Sequence, residues 1–193
     1  MHLQELTLSV EANLAQVLAW RGQVAEARAL AASVAASSRQ AGLVRTELAA
    51  HCYLAKISLA GGDFEAAEDE ARVAVALAPG APTPGVQAYA LLARALLGLG
   101  RVDEAVRTAA EASSMLESFG TLEEGESLVR LTVAEALSAS GKRAEAMAAI
   151  ASARAALLAR ADKLSDPTWR ERFLRDVPDN ARTLELARQW VGG

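Results

Sequence analysis

Two residue types that commonly take part in catalysis or metal binding lie side by side in this chain, at His51 and Cys52. Cys52 is the only cysteine and the other histidine is His2, so no further ligand of these types lies close in sequence. Neighbouring residues on a helix point about 100° apart, which directs the two side chains away from a common ion or substrate. We interpret the pair as a buried or half-buried part of the core, and the sequence predicts no metal site and no disulfide.

Glycines and paired carboxylates are the other candidates for chemistry. Gly98-Leu99-Gly100 resembles a nucleotide-binding loop only superficially, because it follows a predicted helix rather than a strand and lacks the third glycine. Two carboxylate pairs, Asp103-Glu104 and Glu123-Glu124, fall in the first turns of predicted helices, where negative charge stabilises the helix dipole. The sequence therefore predicts no cofactor and no catalytic site, and a helical enzyme is a distant alternative.

Composition and the lack of a targeting segment favour an all-helical protein of the cytoplasm. The chain is 52% hydrophobic but 4% aromatic, and its 20 basic and 24 acidic residues give a net charge of -4. This balance provides no basic surface for nucleic acid or an anionic membrane. The N-terminus lacks a basic segment followed by an apolar one, and no apolar run reaches the roughly 18 residues of a membrane span.

Four carboxylates gather around one predicted loop, at Glu117, Glu123, Glu124 and Glu126. Two interpretations stay open for them. They form either a recognition patch for a basic partner or the solvated ends of two helices.

A turn that recurs four times organises the whole chain. Its glycines, Gly22, Gly62, Gly100 and Gly141, are 40, 38 and 41 residues apart. Each is followed five residues later by an alanine, at Ala27, Ala67, Ala105 and Ala146. A nearly fixed period of this length predicts an all-α solenoid of stacked, antiparallel helical hairpins.

Apolar spacing and helix-ending residues divide residues 1–164 into four hairpins, over 3–41, 43–78, 86–119 and 122–163. The proline-rich segment 79–85 is predicted to be a rigid connector. Gly120 is predicted to end one helix, and Thr121 with Glu124 to form a capping box for the next. Residues 165–193 do not follow the repeat. Two helices are predicted there, starting near Asp166-Pro167 and Val177-Pro178. They are predicted to cap the array, and the alternative is that they form a docking element.

The four units resemble tetratricopeptide (TPR) repeats, whose pattern has small residues at positions 8 and 20. Counted from the turn glycines, position 8 falls on Ala15, Ala55, Ala93 and Ala134, and position 20 on the four alanines named above. Pro79 stands at position 32 of the second unit. Small side chains are needed there because neighbouring helices cross closely. The units are several residues longer than the usual 34, which predicts longer helices.

The resemblance implies a right-handed superhelix that binds a peptide or protein on its concave face. The concave residues that it implies are Asn13, Gln16, Trp20, Tyr53, Lys56, Gln87, Arg94, Thr132, Glu135 and Ser138. Lys56 and Arg94 would pair with an acidic peptide, and Tyr53 would offer a rigid apolar contact. The alternative is that these residues are ordinary solvated helix faces.

The resemblance also separates subtypes. TPR domains that hold a chaperone's C-terminal carboxylate use lysine, asparagine and arginine at positions that here carry Ala12, Gln16, Tyr53, Gln87 and Leu91, so that function is not expected.

The segment 169–190 resembles the ends of repeat arrays linked to bacterial serine/threonine kinases and large signalling ATPases. The predicted function is a non-catalytic interaction module, a regulatory or sensory part of a bacterial signalling protein. Homodimerisation through the tail or an exposed first helix is the alternative.

Overall fold

The computed structural model describes residues 2–120, 122 and 124–192. Within these residues the chain has no strand, and none of its helices is long and apolar enough to cross a membrane. Ten α-helices and a 3-10 turn at Ala78–Gly80 make up this part of the chain. The helices are α1 His2–Trp20, α2 Val24–Ala41, α3 Val44–Ala60, α4 Phe64–Leu77, α5 Pro82–Gly98, α6 Val102–Phe119, α7 Glu126–Ala139, α8 Arg143–Ala161, α9 Pro167–Arg175 and α10 Pro178–Val191.

The helices stack neighbour on neighbour as hairpins. Each of α1, α3, α5 and α7 pairs with the helix that follows it, and the first helix of each later hairpin packs on both helices of the hairpin before. Helix α10 contacts α7 and α8 in the same way, so it lies where the first helix of a fifth hairpin would lie. The predicted all-α solenoid of helical hairpins is confirmed.

The recurring turn has one geometry at all four positions. Its glycines have φ between 73° and 79°, a left-handed conformation that glycine adopts without steric cost. In each copy the residue after the glycine donates its backbone N–H to a carbonyl five residues earlier, at 2.9 Å for Gln23 to Leu18 and 3.0 Å for Asp63 to Ser58. The same bond joins Arg101 to Leu96 and Lys142 to Leu137. This helix-ending motif reverses the chain after every first helix.

Buried alanines occupy positions 8 and 20 of every repeat. All eight alanines at positions 8 and 20 are buried, with at most 2% of their surface exposed. Ala93 of α5, Ala109 of α6 and Ala136 of α7 also meet in one cluster, so small residues from three helices share one contact. Because alanine has no side chain beyond Cβ, the helices pack with little space between them.

The structure corrects the predicted start of two helices. Helix α5 begins at Pro82 rather than at residue 86, because proline needs no hydrogen-bond partner in the first turn of a helix. The rigid connector is therefore shorter than predicted. Helix α7 begins at Glu126 rather than at residue 122, with Gly125 at its N-cap. Thr121 and Glu123 lie outside the described residues, and Glu124 precedes the helix instead of standing in its first turn.

Gly125 explains the later start of α7. Its φ of 87° is left-handed, and a Cβ atom there would lie 2.3 Å from Cγ of Gln87. The loop before α7 therefore packs directly on the side chain of a residue in α5. This contact brings the loop against the face on which the candidate binding residues lie.

The two terminal helices begin near the predicted signals. The Asp166 carboxylate accepts the backbone N–H groups of Thr168 and Trp169 at 2.7 and 3.1 Å, which caps α9. Helix α10 buries Leu186 and Ala187 against residues of α7 and α8, whereas α9 leaves Trp169 64% exposed. The last helix is thus part of the core, and α9 lies on its edge.

Candidate partner-binding surface

A chain of polar contacts runs across the first helices of the first three hairpins. The Tyr53 hydroxyl donates to Oδ1 of Asn13 at 3.0 Å, which joins α3 to α1. Nζ of Lys56 donates to Oε1 of Gln87 at 3.1 Å, which joins α3 to α5, and lies 3.7 Å from a carboxylate oxygen of Glu124. The same Nζ is 5.3 Å from the centre of the Tyr53 ring. We call Asn13, Tyr53, Lys56, Gln87 and Glu124 the polar ladder.

The polar ladder is satisfied by its own members. Burial raises the pKa of Tyr53 to about 12, with smaller contributions from Glu124 and Cys52, so the phenol keeps its proton and remains a donor. Tyr53 and Gln87 are themselves buried, with 7% and 8% of their surfaces exposed. The ladder therefore links α1, α3 and α5, and the members that it leaves exposed to a partner are Asn13 and Glu124.

A groove of about 700 Å³ lies further along the same helices, between α3, the first residue of α4, α5, α7 and α10. Its apolar lining comes from Leu59, Phe64, Leu97, Leu186 and Trp190. Ser138, one of the predicted concave residues, is exposed at its edge. The groove thus presents an apolar floor of about the size that holds a few side chains of a ligand.

Two ion pairs form the rim of the groove. Nη1 of Arg94 lies 2.7 Å from Oδ1 of Asp179, and Nε of Arg182 lies 3.4 Å from Oε1 of Glu135. Two cations and two anions leave the rim close to neutral. Nε of Arg94 is buried and, among the residues that the structure describes, has no hydrogen-bond partner; Glu135 is 3.9 Å away, too far for one.

Seven of the ten predicted concave residues belong to these two groups. Asn13, Tyr53, Lys56 and Gln87 are in the polar ladder, and Arg94, Glu135 and Ser138 line the groove. Lys56 and Arg94, which were predicted to bind an acidic peptide, are engaged by carboxylates of the chain itself. Such a peptide would have to displace those carboxylates, so acidic-peptide binding stays a prediction.

The other three predicted residues lie apart from both groups. Gln16 is half-buried on α1, and Trp20 is 69% exposed at the end of that helix. Thr132 is fully buried and donates its hydroxyl to the Leu128 carbonyl at 2.7 Å, so the structure corrects its placement on the concave surface. A threonine hydroxyl within a helix readily bonds the preceding turn, which removes it from a partner's reach.

Helix α10 supplies groove residues that the sequence analysis did not include. Asp179, Arg182, Leu186 and Trp190 all line the groove. Their spacing of three or four residues puts them on one helix face. The sequence contains that pattern, but only the packing of α10 against α7 shows that the face points into the groove.

The candidates for chemistry belong to the core. His51 is buried with Nδ1 2.6 Å from Oε2 of Glu70 and Nε2 3.4 Å from Nη2 of Arg39. Cys52 is buried as well, and burial raises the pKa of its thiol to about 12. In the described part of the chain no three His, Cys, Asp or Glu residues are grouped for a metal ion.

The negative charge of the acidic loop is partly balanced by lysine and arginine residues of the chain itself. Glu124 lies near Lys56, and Glu126 is buried between Arg130 and Arg160, at 2.8 and 3.5 Å. Glu117 is exposed. Glu123 lies outside the described residues. The two paired carboxylates hold the start of α7 against its neighbours, which favours a structural role for this part of the loop.

Comparison with known proteins places the fold. No model of a known protein family matches the chain, and no curated protein matches it. A crystal structure of a Podosopora anserina putative kinesin light chain with nearly identical TPR-like repeats is similar at 22% identity and a TM-score of 0.64, covering 97% of this chain and 88% of that one. This chain has a TPR-like repeat fold. A second crystal structure of that protein gives 23% identity, a TM-score of 0.63, and coverage of 100% and 89%.

TPR-like repeat folds are generally modules for protein–protein interaction, and their typical members are non-catalytic scaffolds. The similarity extends over nearly the whole chain, so it includes α9 and α10 as well as the four hairpins. At this identity it describes the fold and says nothing of the partner.

Proposed function

We propose that this chain is a non-catalytic interaction module that holds an extended segment of a partner protein in the groove between α3, α5, α7 and α10. The observation that supports this function best is the groove itself, about 700 Å³ in volume, with an apolar floor and a paired rim. Protein interfaces commonly have such a centre, in which a few apolar anchors are surrounded by polar contacts.

The chemistry of the groove favours a particular kind of segment. Phe64, Leu97 and Trp190 provide contact for one or two apolar side chains of the segment. Because the rim is close to neutral, it favours a segment that carries no net charge. The exposed hydroxyl of Ser138 would donate a hydrogen bond to a backbone carbonyl of the segment. A mainly apolar segment therefore suits the groove better than an acidic one.

The setting that we propose is regulatory. The resemblance of residues 169–190 to the ends of arrays in bacterial kinases and signalling ATPases supports a cytoplasmic signalling protein as the parent. In that setting the groove would recognise a segment of the parent's own catalytic part or of an upstream regulator.

The test compares three forms of the chain, each immobilised and exposed to extract of the source cell. They are the parent, Ser138→Arg, which fills the groove from an exposed position, and Ala110→Arg, a matched control on exposed α6 surface. We expect a protein that the parent and Ala110→Arg retain and that Ser138→Arg loses at least about tenfold, the effect of about 1.4 kcal/mol. Equal retention by all three forms would exclude the groove as the binding site.

Self-association is a second candidate function, and one observation favours it. Helix α1 exposes several large apolar side chains, among them Leu3, Val10 and Trp20, each more than 60% exposed. Light scattering over a range of concentrations measures it directly, because the mass of a dimer is twice that of the 20.2 kDa chain.

A further inference from the structure

One face of α1 carries an apolar stripe that no other described helix covers. Its members lie three or four residues apart and are Leu3, Leu6, Val10, Leu14, Val17 and Trp20, exposed by 79%, 62%, 64%, 47%, 43% and 69%. Helix α1 packs on α2 and α3 through its other face, where Leu8, Ala12, Ala15 and Leu18 are buried. We call the six exposed residues the α1 stripe.

The α1 stripe is large enough to be an interface. Scaled to the full areas of Leu, Val and Trp residues, these exposures come to roughly 750 Å² on each copy. This is the most that a contact through the stripe could bury, and it is close to the ~800 Å² that each partner buries in a standard interface. The largest apolar patch of a typical monomer is about 300–600 Å². The surface therefore exceeds what a monomer ordinarily exposes.

The stripe is complementary to itself when two copies of α1 run antiparallel. With a two-fold axis near residue 12, Leu3 faces Trp20 of the other copy, Leu6 faces Val17, and Val10 faces Leu14. The six members include no charged residue, so the paired side chains themselves bring no like charges together. Asn13 lies close to the axis and already accepts a hydrogen bond from Tyr53, so its side chain has a partner before the two copies meet.

We propose that a second copy of this chain covers the α1 stripe and forms a two-fold dimer through antiparallel α1 helices. The proposal deepens self-association, the second candidate function, by naming the face and its pairing. An isologous contact of this kind closes on itself and stops at two copies.

A head-to-tail contact fits the surface poorly. At the other end of the solenoid, α9 and α10 expose ion pairs, among them Arg175 with Glu171 at 2.7 Å and Arg182 with Glu185 at 2.8 Å. An apolar stripe set on that end would meet the exposed Trp169 and Val191, but it would also remove those charges from water. Repeated head-to-tail contacts also need a second, different surface on each copy and continue into open filaments unless the ring closes. The two-fold contact uses the same stripe on both copies.

The dimer leaves the groove of each copy free. None of the residues that line the groove belongs to α1. Two grooves on one particle would let a partner with two binding segments engage both, which raises its apparent affinity without any new contact in either groove.

The experiment uses single cysteines introduced at Leu6 and Val17 in full-length chains of different tag size. The native Cys52 is buried, so a thiol reagent applied to the folded protein reacts with the introduced residue. In the antiparallel pairing, residue 6 of one copy faces residue 17 of the other, whereas two residues 6 are separated by roughly 17 Å along the helix axes. A short bifunctional thiol reagent should therefore cross-link the mixture of Leu6→Cys and Val17→Cys and neither protein alone.

Light scattering of the parent and of Val10→Glu accompanies the cross-linking. We expect a dimer for the parent and at least a tenfold weaker dimer for Val10→Glu. Because Val10 is 64% exposed, the two should have the same melting temperature at concentrations where both are monomeric. Cross-linking of Leu6→Cys with itself would overturn the antiparallel pairing and leave self-association standing. A parent that stays monomeric at about 100 μM would overturn both, while binding in the groove would be unaffected.

Discussion

Replacing Ala93 by leucine tests the close helix crossing on which the repeat fold depends. Ala93 of α5 has no exposed surface and meets Ala109 of α6 and Ala136 of α7 in one cluster. A leucine adds three carbon atoms where three helices approach through alanine. Overpacking of this kind costs about 1–3 kcal/mol, since helices or rotamers must shift. For a chain of this size each kcal/mol lowers the melting temperature by about 2–4 °C, so Ala93→Leu should melt about 2–12 °C below the parent.

The matched control is Ala110→Leu, one residue from the buried Ala109 but exposed on α6. Leucine and alanine are both strong helix formers, so we expect this variant to stay within about 0.5 kcal/mol of the parent. Thermal melts and urea titrations followed by circular dichroism measure both. If Ala93→Leu and Ala110→Leu unfold at the same urea concentration, the contact at Ala93 is not close-packed and the reasoning fails.

Three further predictions concern single groups. The carboxyl of Glu68 would have a raised pKa from burial alone, but hydrogen bonds from two arginines outweigh burial and lower it. The ionised Glu68 carboxylate therefore contributes its full stability above the pKa of the unfolded chain, near 4.5, and this contribution is lost as the pH falls through the lower pKa of the folded chain. Glu68→Gln should be about 1–2 kcal/mol less stable than the parent at pH 7, and the difference should shrink in acid. The buried thiol of Cys52 should resist a thiol reagent at pH 8 and react when urea unfolds the chain. Gly98→Ala should lower the melting temperature by a few degrees, although alanine has the better helix propensity, because the added Cβ would lie 2.2 Å from the Phe64 ring. A higher melting temperature would show that the ring moves at no cost.

The regular part of the fold was predictable because it repeats. Glycine followed by alanine five residues later fixes both the reversal of the chain and the position where helices cross, and each copy supports the same assignment of the others. The start of α5 was harder to predict, since Pro79, Pro82 and Pro84 all favour a break when judged by sequence alone. Proline is compatible with the first turn of a helix, and Pro82 takes that place.

The candidate site was predictable only in part. The repeat pattern implies which helices line the concave face, and three of the residues that it names, Arg94, Glu135 and Ser138, line the groove. It carries no information about the side chain that each residue meets. Whether Arg94 is free or paired depends on Asp179 of α10, 85 positions away in sequence and outside the repeat.

That pair couples the end of the solenoid to its binding surface. In a repeat array each unit is stabilised mainly by its neighbours, so an element at either end of the described array has one described neighbour fewer and opens more readily than the elements between. Here the last element, α10, is also one wall of the groove, and it is fastened to α5 and α7 through Asp179 and Arg182. Opening of α10 would remove that wall, and a segment bound in the groove would contact α10 as well as the earlier helices. Binding should therefore stabilise the C-terminal end of the array more than its first hairpin, because the free energy of binding is available only when α10 is in place.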